Sequence, residues 1–113
     1  MISKVNKYHN RKTVIDGITF DSKKEADYYC ELRIRRMARE ITGFERQVPF
    51  VILEPFKYKG KRVQGIKYTA DFVVTYSDGR QEVIDVKGMR TRDYIMRKKL
   101  LLSKYPNIDF KEV

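Results

Sequence analysis

Two acidic residues and one lysine lie inside apolar stretches of the sequence, where charged side chains are uncommon. Asp85 and Lys87 are two positions apart in "VIDVKG" (83–88), and Asp71 lies within "YTADFVV" (68–74). Residues two apart on a β-strand point to the same face, about 6.5–7 Å from each other, so Asp85 and Lys87 should share a face. If Asp71 joins them, a hard divalent cation such as Mg²⁺ would relieve the repulsion between the carboxylates. Two acids, a lysine and a metal ion are the groups needed to hydrolyse a phosphodiester.

The length of one turn decides whether the two carboxylates are neighbours. The strands that carry them are predicted to form an antiparallel hairpin around "SDG" (77–79). A two-residue loop would pair residue 71 with residue 86 and put the acids on opposite faces, whereas a three-residue loop pairs residue 71 with residue 85. Three-residue loops commonly place a left-handed glycine at their last position, and Gly79 lies there. We therefore predict the three-residue loop, or another odd offset that a bulge supplies.

The rest of the sequence predicts an α/β fold with these two strands at the centre of its sheet. In chain order, the predicted elements are a hairpin over 13–20 with Asp16-Gly17 at its turn, a helix from Asp21 or Ser22 to Thr42-Gly43, a strand over 44–54, a basic ragged hairpin over 55–67, strands over 68–76 and 80–88, a helix within 90–106 that stops before Pro106, and a strand over 108–113. The segments 71–75 and 83–86 are apolar on both faces, which indicates that each is covered from two sides.

Two further patterns predict how the flanking elements pack. The first helix should be capped by Asp21 or Ser22. Its buried face should consist of the apolar residues that recur at helical spacing, which are Ala26, Cys30, Ile34, Met37 and Ile41. Pro49 has no backbone N–H to donate, so the strand over 44–54 is predicted to lie at a sheet edge or to contain a bulge.

Composition and charge narrow the class of partner. The chain has 113 residues, which suits one domain, and its 25 Lys and Arg against 15 Asp and Glu give a net charge of +10. This excess favours an anionic partner, with nucleic acid first and a membrane surface second.

No apolar run approaches the ~20 residues that a membrane span needs, and no segment resembles a secretion signal. The lone Cys30 excludes an internal disulfide and fits a reducing cytoplasm, and with one histidine, His9, it excludes the usual structural zinc sites.

The charged residues of the two central strands match a known signature. Asp71, followed by Asp85-Val86-Lys87, resembles the bipartite motif of the PD-(D/E)xK nuclease superfamily, with Ala70 where that family often has proline. The segments that extend the resemblance over roughly residues 7–113 are "DSKKEADYYCEL", "FERQVPF", "YTADFVV" and "EVIDVKG". They are similar to the endonuclease subunit of heteromeric transposases and to small phage-encoded proteins with this core. The resemblance implies a restriction-endonuclease-like fold, with a mixed central sheet flanked by two helices and here preceded by an N-terminal hairpin.

By this resemblance the whole chain, 1–113, would be a single nuclease domain that uses Mg²⁺, with Mn²⁺ as a substitute. Asp71 and Asp85 would bind the metal, with the carbonyl of Val86 as a third ligand. Glu25, on the first helix, would bind the metal or a water in its shell. Lys87 would orient the attacking water.

Simpler interpretations of the same residues remain open. Taken alone, Glu25 suits a capping-box or surface position, and Asp85 with Lys87 suits the solvated face of an edge strand. Gln47 occupies a position that is often polar in the resembling proteins and would lie at the margin of the site. His9 is predicted to be a surface residue.

Basic residues on both sides of the site are candidates for DNA contacts. Those predicted to bind nucleic acid are Arg90, Arg92, Arg97, Lys98 and Lys99, which follow the site, and Lys59, Lys61 and Arg62, which precede it. Such contacts bind phosphates and position DNA without reading its sequence. Residues 1–12 are polar and basic without a clear period, and they predict a flexible arm with further candidates at Lys4, Lys7, Tyr8 and Arg11.

We therefore expect a DNA endonuclease of the bacterial or phage-infected cytoplasm, which cuts branched DNA such as Holliday junctions in phage recombination or packaging. One site makes one cut, so paired cleavage would require a homodimer. Phage, transposition or recombination proteins would be further partners. The alternative is a non-catalytic nucleic-acid-binding module that has kept the nuclease fold, and a third option is an adaptor or inhibitor that binds another protein.

Overall fold

A four-stranded mixed sheet forms the centre of the molecule, and one helix packs on each of its faces. The computed structural model describes residues 12–87 and 89–113. The strands are β1 (Thr13–Ile15), β2 (Ile18–Phe20), β3 (Gly43–Leu53), β4 (Phe56–Tyr58), β5 (Lys61–Val63), β6 (Ile66–Thr75), β7 (Gln81–Asp85) and β8 (Phe110–Glu112), and the helices are α1 (Lys23–Met37) and α2 (Arg92–Lys104). The predicted α/β class, the mixed sheet, the two flanking helices and the N-terminal hairpin are confirmed.

The strand order of the central sheet is β3-β6-β7-β8. The first two pairings are antiparallel, and β7 pairs with β8 in parallel. β6 and β7 are therefore the central strands, as their two apolar faces predict. β3 lies at the edge of the sheet, where a proline such as Pro49 is tolerated because an edge strand is hydrogen-bonded on one side only. The pairs β1–β2 and β4–β5 form separate two-stranded sheets, and the β1–β2 turn has positive φ angles at Asp16 and Gly17, as the hairpin prediction requires.

Two hydrophobic cores lie on opposite faces of the sheet. The α1 core contains the fully or nearly fully buried residues Phe20, Ala26, Tyr29, Leu32, Ile41, Phe72, Val74 and Ile84. The α2 core contains the buried residues Ile52, Tyr68, Ala70, Val73, Val83, Tyr94 and Leu101. Because β6 and β7 contribute to both cores, any charged side chain on them must be satisfied within the fold or at its rim.

The first helix is shorter than predicted. Ser22 caps α1, because its Oγ accepts a hydrogen bond from the N–H of Glu25 at 3.1 Å. The helix ends at Met37 rather than at Thr42-Gly43, since Arg39 takes a left-handed φ of 64° that a helix cannot continue. The predicted helix terminus was therefore wrong by more than one turn.

The predicted buried face of α1 also needs correction. Ile34 and Met37 are 65% and 77% exposed, and the side chains that face the sheet are those of Tyr29 and Leu32, together with Ala26. Ile41 is buried, but it enters the core from the loop after the helix. Aromatic and aliphatic residues at 29 and 32 thus define a face that is rotated from the one we predicted.

The turn between β6 and β7 has the predicted three residues. Val73 pairs with Val83, and Thr75 pairs with Gln81. The same register, continued along the hairpin, sets residue 71 opposite residue 85. The N–H of Tyr76 donates to the carbonyl of Arg80 at 2.8 Å, and Gly79 has a φ of 88°. The turn therefore puts Asp71 and Asp85 at facing positions.

The C-terminal elements lie beside the central hairpin. Thr91 caps α2 by accepting a hydrogen bond from the N–H of Tyr94 at 3.1 Å, and α2 ends before Pro106 as predicted. β7 and β8 are shorter than predicted, although the pairing continues past them: the N–H of Val113 donates to the carbonyl of Asp85, and the N–H of Lys87 donates to the carbonyl of Val113. The last residue of the sequence is thus hydrogen-bonded to the backbone of the proposed site.

Two sets of predictions fall outside the described residues. The basic arm is described only at Lys12, so Lys4, Lys7, Tyr8, His9 and Arg11 lie outside, as does Gly88, which was predicted to close β7. Within the described part of the chain, neither helix is long and apolar enough to span a membrane.

Candidate active site

Hydrogen bonds link the two acidic residues of the central hairpin across their strands. The N–H of Asp71 donates to Oδ1 of Asp85 at 3.0 Å, and Oδ2 of Asp71 accepts from the N–H of Val86 at 2.8 Å. Both contacts depend on the register that the three-residue turn sets. The carboxyl groups of Asp71 and Asp85 therefore belong to one site.

Close to Asp71, the alternation of β6 side chains between the two faces of the sheet is interrupted. Tyr68 and Ala70 pack in the α2 core, whereas Phe72 packs in the α1 core, although residues two apart on a regular strand share a face. The facing residue in β3, Gln47, has a left-handed φ of 52°, and this position is missing from the β3–β6 ladder. The irregularity places Asp71 within reach of groups on the α1 side while its backbone binds the neighbouring strand.

Asp85 is buried on the α2 side of the sheet, with 1% of its surface exposed. The hydroxyl of Tyr68 donates a hydrogen bond to Oδ2, while Oδ1 accepts from the N–H of Asp71. Burial raises the pKa of Asp85 above its ordinary value, and the Asp71 N–H and the charge of Lys87 oppose that rise. Both oxygens have a donor within the fold, so the orientation of the carboxyl group is fixed.

Asp71 and Glu25 form the other acidic pair of the site. Burial is the main cause that raises the pKa of Asp71, against the opposing effects of the Val86 N–H and the Lys87 charge. Burial also raises the pKa of Glu25, which is 7% exposed, and the charge of Asp71 adds to this rise. The charge of Asp71 thus acts on Glu25, and the metal-site role that the resemblance implies for Glu25 stays a prediction.

Gln47 and Arg46 neutralise part of this negative charge. Gln47 Nε2 donates to Oε2 of Glu25 at 3.3 Å, and a hydrogen bond from Gln47 also lowers the pKa of Asp71. Arg46 Nη2 lies 3.9 Å from the same Glu25 oxygen, and its guanidinium carbon lies 4.7 Å from the ring centroid of Phe20. Gln47 is exposed and donates to Glu25, which fits the predicted position at the margin of the site.

Lys87 lies on the same side of the sheet as Asp85, as the period of two predicts. Val83 packs in the α2 core, while Ile84 and Val86 contact the α1 core. The ammonium nitrogen of Lys87 lies 4.6 Å from the ring centroid of Tyr94, on α2. Its positive charge opposes the pKa rise of both aspartates, so Lys87 is the cation that both of them share.

The donor set suits a hard divalent cation. Glu25, Asp71 and Asp85 are carboxyl groups whose pKa values burial raises, which means that the fold does not fully offset their negative charge. Oxygen ligands of this kind are those that Mg²⁺ prefers. Within residues 12–87 and 89–113, however, no three Asp, Glu, His or Cys side chains are arranged closely enough to hold a metal ion by themselves. The predicted ligand set of two aspartates with the Val86 carbonyl does not need three such side chains and stays a prediction.

Three of the five predicted DNA-binding residues between Arg90 and Lys99 have partners within the fold. Arg90 and Lys98 both form ion pairs with Glu112, and Arg97 pairs with Asp93 at 3.3 Å. Among the residues predicted to bind DNA, five are exposed and form no ion pair within the described part of the chain. They are Arg92 and Lys99 on α2, and Lys59, Lys61 and Arg62 around the β4–β5 turn.

Three residues that touch the site or its supports were not predicted to belong to it. They are Tyr68, Arg46 and Glu112. Glu112 pairs with Asp85 across β7 and β8, and the hydroxyl of Tyr94 donates a hydrogen bond to it. The sequence gives little indication of these contacts. Tyr68 precedes Asp71 by three residues and Arg46 precedes Gln47, but neither spacing predicts a contact unless the pairing of the strands is known.

Comparison with known proteins gives one assignment. A family model described as "Protein of unknown function (DUF1064)" matches residues 5–113. No curated protein matches the chain.

Proposed function

The chain belongs to the DUF1064 family of proteins of unknown function, and we propose that it is a metal-dependent DNA endonuclease that hydrolyses phosphodiester bonds. The observation that carries the proposal is the link between Asp71 and Asp85 across the three-residue turn. The N–H of Asp71 donates to the Asp85 carboxylate, the Asp71 carboxylate accepts from the N–H of Val86, and the Lys87 charge acts on both acids. The net charge of +10 supports an anionic polymer as the substrate.

Each residue of the site has a defined task in this proposal. Asp71 and Asp85, with the carbonyl of Val86, would hold Mg²⁺ or Mn²⁺, and Glu25 would hold the metal or a water in its shell. The metal would act as a Lewis acid on the phosphate. Lys87 orients the attacking water, whose oxygen forms a bond to phosphorus as the bond to the leaving sugar oxygen breaks. The water gives up a proton to solvent, the leaving oxygen takes up a proton from solvent, and no covalent enzyme intermediate forms.

The test compares cleavage with binding on a panel of labelled DNAs. Linear duplex, single-stranded, flapped and four-way DNA are incubated with the protein and Mg²⁺ or Mn²⁺. We expect Asp71→Ala and Asp85→Ala each to lower the cleavage rate about 100-fold or more while DNA affinity is retained. Asp27→Ala is the matched control, because Asp27 is an exposed α1 carboxylate that pairs only with Lys23 among the described residues. Cleavage that survives both site substitutions would refute the proposal.

A non-catalytic nucleic-acid-binding module is the second candidate, and the contacts of Asp85 favour it. Both of its carboxylate oxygens are already hydrogen-bonded, to the Tyr68 hydroxyl and the Asp71 N–H. A site of this kind could be purely structural. The module is the correct interpretation if the wild-type protein binds DNA but nicks none of the four substrates with either metal.

The proposed setting follows from the substrate. The DNA is that of a bacterial or phage-infected cytoplasm, with branched recombination or packaging intermediates as the natural targets. A homodimer would supply the second site that paired cleavage of a junction needs, and phage or transposition proteins would be the other partners.

A further inference from the structure

The β4–β5 hairpin exposes aromatic side chains that neither core uses. It forms a two-stranded sheet of its own, and apart from the half-buried Val63 every residue from Leu53 to Lys67 is exposed. Phe56 is 46% exposed and Tyr58 is 61% exposed, and no other aromatic side chain in the described part of the chain is exposed to this degree. Exposed aromatic surface of this kind on a protruding element indicates a binding surface.

The same segment is strongly basic. From Pro55 to Ala70 the sequence has no acidic residue, and its cationic residues are Lys57, Lys59, Lys61, Arg62 and Lys67. None of them forms an ion pair within residues 12–87 and 89–113. Their charge is therefore not offset inside the fold, and it complements a polyanion.

The hairpin separates its aromatic residues from part of its charge. Phe56 and Tyr58 lie two positions apart on β4 and so share a face, whereas Lys57 lies on the opposite face. Lys57 is paired across the hairpin with Arg62, so the second face is cationic. One face can thus stack on a planar group while the other meets phosphates.

Two cavities that share Lys67 lie between the proposed site and the hairpin. One, of about 370 Å³, is lined by Lys87, Lys67 and Arg97, and also by Asp93, the ion-pair partner of Arg97. The other, of about 460 Å³, is lined by Lys67 and Arg62. Lys87, Lys67 and Arg62 are thus the cations available to a phosphate backbone that extends from the site toward the hairpin.

A close backbone contact fixes the base of the hairpin. A Cβ atom at Gly65 would lie 2.4 Å from the carbonyl oxygen of Leu53. The strands that enter and leave the hairpin therefore approach each other in a way that only glycine permits.

We propose that this hairpin binds unpaired DNA bases by stacking them on Tyr58 and Phe56, so that the preferred substrate is duplex DNA that opens into single strands. This inference rests on the proposed function, because it names the class of DNA that the site would cut. Bases in a duplex have no free face, whereas an unpaired base can stack on an aromatic ring. Lys59, whose ammonium lies 5.5 Å from the centroid of the Tyr58 ring, would bind the adjoining phosphate.

The length of β6 gives the spacing between the site and the base of the hairpin. Ile66, next to the hairpin, is five residues from Asp71, which corresponds to roughly 17 Å along a strand. A duplex that runs along β6 would cover this distance in about five base pairs, because duplex DNA rises about 3.4 Å per base pair.

The closing experiment measures DNA affinity in EDTA, where no cleavage occurs. Fluorescence anisotropy gives the dissociation constants of linear duplex and of a fork with two unpaired arms. The wild type is expected to prefer the fork, and Tyr58→Ala to weaken fork binding about 5- to 150-fold, the range for the loss of one stacked base, with little effect on duplex binding. Tyr58→Phe keeps the ring and is expected to retain the fork affinity. Met37→Ala removes an exposed apolar side chain on α1 and serves as the control.

Each outcome separates this inference from the proposed function. Equal fork affinities for the wild type and Tyr58→Ala, with cleavage that still depends on Asp85, would overturn the hairpin inference and leave the endonuclease intact. A ring-dependent fork preference without any cleavage would support the hairpin inference and count against the endonuclease. Binding of anionic phosphatidylserine vesicles that depends on Tyr58, without a ring-dependent effect on DNA, would assign the hairpin to a membrane surface instead and overturn the inference.

Discussion

The N–H of Asp71 donates a hydrogen bond to Oδ1 of Asp85 at 3.0 Å. This contact joins backbone to side chain across the two central strands, so the position of one acidic residue depends on the backbone of the other. Substitutions at the site therefore divide into two kinds. Those that remove a functional group should alter chemistry, and those that disturb the hairpin should alter the geometry and stability together.

Lys87→Ala should abolish most of the cleavage and leave DNA binding nearly intact. Its charge acts on both aspartates, and loss of a group that positions or deprotonates water typically costs about 100-fold or more in rate. Single-turnover cleavage of the best substrate measures the effect, with Lys111→Ala, an exposed lysine on β8, as the control. A Lys87→Ala rate equal to that of the wild type would exclude the assigned task of this residue.

Tyr68→Phe should destabilise the protein. The hydroxyl of Tyr68 donates to the buried carboxylate of Asp85, and hydrogen bonds to charged groups contribute about 1.5–3 kcal/mol to the free energy of unfolding. The matched control is Tyr105→Phe, because that hydroxyl donates to the neutral carbonyl of Val51 at 3.0 Å and should contribute only about 0.5–1.5 kcal/mol. Urea unfolding in EDTA measures both, and equal losses would contradict the prediction.

Glu25→Gln should raise the metal-free thermal stability. The pKa of Glu25 is raised by burial and by the charge of Asp71, so the charged form is disfavoured in the fold and its neutral replacement relieves repulsion. Added Mg²⁺ should then stabilise the wild type more than the variant, as a ligand that binds the folded state does. Differential scanning calorimetry with and without Mg²⁺ checks this, with the exposed Glu31→Gln as control. A wild type that gains nothing from Mg²⁺ or Mn²⁺ would argue against metal binding.

Glu112→Gln should lower stability at neutral pH but not in acid. The hydrogen bond from Tyr94, together with Arg90 and Lys98, lowers the pKa of Glu112. A carboxylate with a lowered pKa stabilises the fold above its ordinary value, about 4.3, and this contribution is lost as the pH falls through the lower value of the folded state. Urea midpoints of the two proteins should therefore differ at pH 7, and the difference should shrink as the pH falls below about 4.3. Glu54→Gln, which breaks an exposed ion pair with Lys104, should show little difference at either pH.

Gly79→Ala should cost stability although there is space for a methyl group. A Cβ at Gly79 would meet nothing within 4 Å, but the residue has a φ of 88°, which costs an L-residue about 1–2 kcal/mol. Gly43→Ala is the matched control, since it has equal space and no positive φ. Because Gly79 closes the turn that sets the register, its substitution should also reduce cleavage more than Gly43→Ala does. Equal stabilities of the two variants would show that backbone strain at this turn is negligible.

The register of the site was predictable, because one local feature determines it. Gly79 and the three-residue loop imply that residue 71 faces residue 85, and the period of two implies that Lys87 joins Asp85. Both inferences need only the geometry of a hairpin, and the three-residue loop and the side of Lys87 are confirmed. A metal site shared by the two carboxylates stays a prediction, because Asp71 reaches groups on the α1 side while Asp85 is buried on the α2 side. The edge position of β3 followed in the same way from Pro49.

Other features depended on tertiary contacts that no local pattern encodes. The buried face of α1 was wrong because Ile34 and Met37 fit a helical period as well as Tyr29 and Leu32 do, and only packing on the sheet selects between them. The change of face near Asp71 arises where Gln47 adopts a left-handed φ, which a glutamine rarely does. Its contact with Glu25 joins positions that are 22 residues apart.

The parallel pairing of Val113 with β7 has a practical consequence. Val113 exchanges backbone hydrogen bonds with Asp85 and Lys87, so the segment over 110–113 holds the backbone that carries both charged groups. Proteolysis within this segment would release that backbone and disturb the position of the lysine. Preparations for activity assays should therefore be checked by intact mass spectrometry for cleavage in β8.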